Sequence, residues 1–152
     1  MDPMRDPQVR EWTEATGHRA DYIDFLSQST GIAEWIALSR VFLPAFVEVE
    51  GCVLWDRSYD PENFETWRSA LNGDVTAIEA TLNQLKLYLY VDVDDDATSR
   101  ANGLSLAEDI ATTWRFRLAA DFPGRSFSVQ AMDTEDGPIV SFVSKRPGGA
   151  VS

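Results

Sequence analysis

Ala45-Phe46-Val47-Glu48-Val49-Glu50-Gly51-Cys52-Val53-Leu54-Trp55-Asp56 is the stretch on which the fold turns. Two runs of strand-forming residues flank Glu50-Gly51, and glycine at that point supplies the positive φ that a tight hairpin turn requires. A two-residue loop places Val49 opposite Cys52 and Val47 opposite Leu54. The same register gathers Phe46, Glu48, Val53 and Trp55 on the other face, because successive side chains of a strand point to opposite sides. The core of the fold is therefore expected to be antiparallel.

The flanking segments read mainly as helices. Upstream, Ala20 to Gln28 carries Tyr22, Ile23, Phe25 and Leu26, and Ile32 to Phe42 places Ile32, Trp35 and Ile36 at helical spacing before Pro44 ends the run. Downstream, Asp60-Pro61-Glu62 has the form of an N-cap followed by a first turn. Phe64, Trp67 and Leu71 share the inward side of the helix it opens, and Asn72-Gly73 stops it. Asp74 caps a further helix bearing Val75, Ile78, Leu82 and Leu85. This leads into a strand, Lys86 to Val91. Ser105-Leu106-Ala107-Glu108 has the pattern of a capping box. The helix it begins has the stripe Ala107, Ile110, Ala111, Trp114, Leu118 and Phe122. Two closing strands, Arg125 to Met132 and Ile139 to Lys145, complete an α+β domain with a mostly antiparallel sheet of about five strands and four to five helices packed against it. The whole of 1–152 is expected to be one domain, with residues 1–8 and 147–152 as flexible tails.

Composition limits the function. The chain has 152 residues, 13 Lys plus Arg against 25 Asp plus Glu, and a net charge of −12. A surface of that sign repels nucleic-acid phosphates and anionic lipid headgroups, so neither nucleic acid nor membrane is an expected partner. No apolar run reaches the roughly 20 residues of a membrane span and no signal-peptide pattern opens the chain, so the expectation is a cytoplasmic protein. The single Cys52 suits a reducing compartment. Eleven Arg against two Lys is a usage that suggests a GC-rich bacterial source.

Motifs that carry chemistry are few. One histidine, His18, rules out sites that need two. Cys52, on the inward side of the hairpin between Val49 and Leu54, reads as a small core residue and not as a nucleophile. Asp92, Asp94 and Asp96 match the first carboxylate positions of a calcium loop. Ala97 then stands where that loop needs glycine and Gly103 where it needs a bidentate glutamate, so the cluster reads as a solvated acidic loop with Asp95. Glu48 with Glu50, and Asp56 with Asp60, are carboxylate pairs whose spacing alone specifies no acid–base role. No Gly-rich phosphate loop or nucleophile elbow is present, and no cofactor or metal is expected.

The feature that stands out is a second sheet face. In Leu85-Lys86-Leu87-Tyr88-Leu89-Tyr90-Val91 the aliphatics alternate with Lys86, Tyr88 and Tyr90, which would join Phe46, Glu48 and Trp55. This set is either a docking surface of aromatic and acidic groups or a second core layer covered by the first helices. The candidate interface is thus Phe46, Glu48, Trp55, Tyr88 and Tyr90. The function it implies is binding to a basic protein, as an immunity or inhibitor protein would. The alternatives are a small enzyme or ligand-binding domain with a pocket between sheet and helices, and a homo-oligomeric module, homodimer included, that buries the face against its own copy.

Overall fold

The computed structural model describes residues 1–17 and 19–146. Within it the chain divides into two compact units, Met1–Val41 and Phe42–Ser152. His18 and the expected tail 147–152 lie outside the described residues.

The first unit is helical. Asp2-Pro3 and Asp6-Pro7 are both cap-plus-proline pairs. They give a 3-10 turn at Pro3–Arg5 and helix α1 at Pro7–Thr16, with the Asp6 carboxylate accepting from the amides of Gln8 and Val9. Residues 1–8, expected as a flexible tail, thus hold the 3-10 turn and the first residues of α1. Helix α2, Tyr22–Ser27, opens on a reciprocal capping box between Asp21 and Asp24, and the rings of Trp12 and Phe25 meet edge-on at 5.7 Å. Helix α3 is Ile32–Phe42, the span the apolar spacing predicts.

The second unit is α+β. Strands β1 (Phe46–Val49) and β2 (Cys52–Trp55) form the expected hairpin. Phe46 opposes Trp55, and Val49 opposes Cys52, across a turn in which Glu50 and Gly51 both have positive φ. Helices α4 (Pro61–Ala70) and α5 (Val75–Leu82) follow, then β3 (Gln84–Lys86), the long helix α6 (Ala97–Asp121), and strands β4 (Ser126–Thr134) and β5 (Gly137–Lys145). The five strands are all antiparallel. They form a two-stranded and a three-stranded sheet, the latter in the order β3-β5-β4. Among the described residues there are six α-helices, and none is long and apolar enough to cross a membrane.

Both faces of the hairpin are covered, and this explains why all of β2 is buried. On one face Cys52 and Leu54 pack with Phe64, Ile78 and Leu82. On the other, Trp114 of α6 and Phe142 of β5 form an aromatic cluster with Phe46 and Trp55, at ring separations of 5.1 to 6.0 Å. The α6 stripe is as the periodicity predicts, with Ala107, Ile110, Ala111, Trp114 and Leu118 buried.

Helix α5 also joins the two sheets through side chains. Glu79, fully buried, accepts from the Val53 amide (2.8 Å) on one oxygen and from the Ser144 amide (2.6 Å) on the other, and the Ser144 hydroxyl donates to it as well. One turn later Asn83 accepts from the Trp55 amide (3.0 Å) and donates to the Val53 carbonyl (2.8 Å). These bonds satisfy the free edge of β2 and the part of β5 beyond its pairing with β3, replacing a backbone ladder with two side chains. Among the described residues no buried side-chain nitrogen or oxygen lacks a partner.

Three local expectations are corrected. Helix α6 starts at Ala97, not Ser105, because Asp96 caps it through the amides of Thr98 and Ser99. Gly103 stands inside that helix, where a Cβ would come within 3.2 Å of Val93 and Pro138. Trp67 is not buried with Phe64 and Leu71; it is 36% exposed at the edge of the α4 stripe.

Candidate functional site

The strand expected from Lys86 to Val91 ends almost as soon as it begins. Lys86 pairs with Ile139, and the next position would oppose Pro138, which has no amide to donate, and then Gly137 at the β4–β5 turn. The chain therefore turns. Leu87 is buried, and its carbonyl accepts from the amides of Tyr90 (2.9 Å) and Val91 (3.0 Å) in a 3-10 turn. The alternation of Leu85 to Val91 is broken at that point. Leu89 and Tyr90 are carried outward, 61% and 58% exposed, with Val91 beside them.

The five-residue face expected from the sequence is not assembled. Trp55 is only 4% exposed and Phe46 is half-buried; both belong to the aromatic cluster around Trp114. The physical reason is α6, which supplies a cover for that hairpin face from more than forty residues away in the chain. Tyr88 is half-buried against Gly137, whose Cβ, if it had one, would lie 2.8 Å from the Tyr88 Cβ. Glu48 is exposed and forms an ion pair with Arg125. Tyr90 is the aromatic member of the set left at the surface. Its hydroxyl accepts from Arg57 (2.8 Å), and the Arg57 guanidinium lies over the Tyr90 and Trp55 rings at 5.1 and 5.3 Å.

The exposed residues Leu89, Tyr90 and Val91 run directly into Asp92, Asp94, Asp95 and Asp96, all exposed. Val93 tucks in toward Gly103, and Arg100 donates to Asp133 (3.0 Å) and to the Thr134 carbonyl (2.8 Å), which draws the β4–β5 turn to the same end of the unit. Glu135 and Asp136 on that turn are exposed too. Seven exposed carboxylates thus lie toward this end of the unit, with Arg100 among them and Arg57 held against Tyr90 at the apolar patch itself. They do not converge: among the described residues no group of three His, Cys, Asp or Glu is placed to hold a metal ion.

The remaining sequence candidates have structural duties. Glu50 pairs with Arg68 (2.9 Å), Asp60 caps α4 through the Asn63 amide, and Asp56 accepts from the Arg57 amide. Cys52 is buried, and burial, reinforced by the Glu79 carboxylate, pushes its thiol up to about 11. Sequence reasoning missed Glu79 and Asn83. Their signal was present: they sit at helical spacing within the Val75, Ile78, Leu82 stripe, where a polar residue must find buried partners.

No family model, no curated protein and no solved structure matches this chain.

Proposed function

We propose that the chain is a protein-binding module whose acidic end, formed by residues 89–96 and the turn 133–136, docks on a basic surface of another protein, in the manner of an inhibitor or immunity protein. The observation that carries this reading is the continuity of the exposed Leu89-Tyr90-Val91 patch with the carboxylates around it. Large exposed side chains rimmed by charge are what a docking surface uses: the apolar centre supplies desolvated contact and the rim supplies steering. A net charge of −12 extends that field to long range and favours a cationic partner in a compartment such as the cytoplasm.

The test begins with a partner captured by cross-linking in source cells and then purified. Association should slow as salt rises, since charges further apart than ~8–10 Å are screened near physiological ionic strength. Tyr90→Ala should leave association almost unchanged and raise the dissociation rate, by ~2 kcal/mol if the side chain is a hot spot. A salt-independent association rate, together with wild-type dissociation in Tyr90→Ala and Leu89→Ala, would refute the reading.

A further inference from the structure

The opposite end of the β4–β5 hairpin, roughly 25–30 Å from the acidic turn at ~3.3 Å per residue, has the reverse character. An open groove of about 660 Å³ there is lined by Arg125, Lys145 and Arg146, together with Gly51, Gly124, Ser126 and Ser144. We infer that this groove binds a small, multiply charged oxyanion, a phosphate-bearing molecule being the class that fits.

The distribution of charge supports this. The second unit has nine cations and eighteen carboxylates, and among the described residues four of the nine cations have a carboxylate partner. Arg68, Arg100 and Arg117 do pair, and Arg125 is steadied by Glu48. Of the other five, Lys145 and Arg146 lie side by side at this groove, where Arg146 only reaches the Gly51 carbonyl, at 3.4 Å. Three cations, one of them already offset in part by Glu48, therefore meet at one groove on a strongly acidic protein. Their mutual repulsion is relieved when an anion sits among them. The Arg146 fork, the Lys145 ammonium and the Arg125 nitrogens that Glu48 does not engage suit several oxygens on one centre, where a single carboxylate would need one fork. A Cβ at Gly51 or Gly124 would meet no atom within 4 Å, so the backbone leaves the approach open, and Ser126 adds a hydroxyl. The volume lies within the range of small-molecule sites.

The experiment is a titration of the full chain with inorganic pyrophosphate at low ionic strength, followed by calorimetry and by NMR shifts. Saturable binding of one equivalent is expected, with the largest shifts at Arg125, Ser126, Lys145 and Arg146. Lys145→Ala/Arg146→Ala, two exposed positions, should weaken it at least tenfold with an unchanged melting curve. Lys86→Ala, a cation outside the groove, should bind as wild type. Absence of saturable binding, or equal weakening in Lys86→Ala, would overturn the inference by showing non-specific counterion attraction. Two other outcomes would also overturn it: retention on vesicles of anionic lipid without binding of soluble pyrophosphate, and salt-sensitive self-association that pyrophosphate does not compete away. Those would assign the groove to a membrane surface or to the acidic end of a second copy.

Discussion

Glu79→Gln is the most discriminating substitution in this molecule, because it keeps side-chain volume and removes one acceptor. The native carboxylate presents one oxygen to the Val53 amide at 2.8 Å and the other to the Ser144 amide at 2.6 Å. A glutamine amide has one oxygen, so in either orientation its NH2 group confronts a backbone N–H that can only donate. The lost charge-assisted bond and the unpaired buried amide each fall in the range of ~1–3 kcal/mol, which gives an expected loss of ~2–4 kcal/mol. Glu79→Met, of similar length, should be at least as damaging, since both strand amides then go unpaired. Urea unfolding measures the loss, and hydrogen exchange locates it: the Val53 and Ser144 amides should be slow in wild type and selectively faster in the variants. A Gln variant within about 0.5 kcal/mol of wild type, the range of ordinary surface changes, with unchanged exchange at both amides, would refute the idea that this side chain joins the sheets.

Gly137→Ala should destabilise by ~2–4 kcal/mol, since φ is 127° and the new methyl would meet the Tyr88 Cβ at 2.8 Å, a backbone-anchored atom that cannot swing aside; thermal melting reads this directly. Trp114→Ala should cost ~3–5 kcal/mol through loss of the aromatic cluster, whereas Trp67→Ala, at the edge of α4, should cost less than half as much by the same urea assay. Cys52 should resist a thiol reagent in the folded protein at pH 8 and react on unfolding. Its raised value also makes stability depend on alkaline pH: the contribution is complete below the ordinary value of 9.0 and is lost as pH climbs from there toward about 11, because the unfolded chain ionises first. Denaturant midpoints between pH 8 and 11 should fall in wild type and fall less in Cys52→Ala.

The parts of the fold that could be read from the sequence are those fixed by local rules. The hairpin register followed from Glu50-Gly51 and alternation, α4 from its Asp60-Pro61 cap, and the α6 stripe from its spacing. What escaped depended on distant chain. Alternation told that Phe46 and Trp55 share a face but not that Trp114 covers it. The run Leu85 to Val91 alternates like a strand, yet its length is set by Pro138 on the neighbouring strand, fifty residues on. The helix expected from Ser105 begins at Ala97, and the reason a glycine stands inside it at position 103, the approach of Val93 and Pro138, is tertiary. The same limits apply to the candidate site. Of the five residues chosen from pattern, Tyr90 remains an exposed aromatic, and its setting between Leu89 and the aspartates arose from a strand that stopped early.

The most direct measurement for the proposed docking surface is a hydrogen-exchange footprint of the chain with and without its purified partner at low salt. The account predicts new protection confined to peptides covering 87–96 and 133–137, with α4 unchanged. Protection centred on α4 or on the Gly51 to Arg146 groove, with 87–96 exchanging as in the free protein, would contradict it.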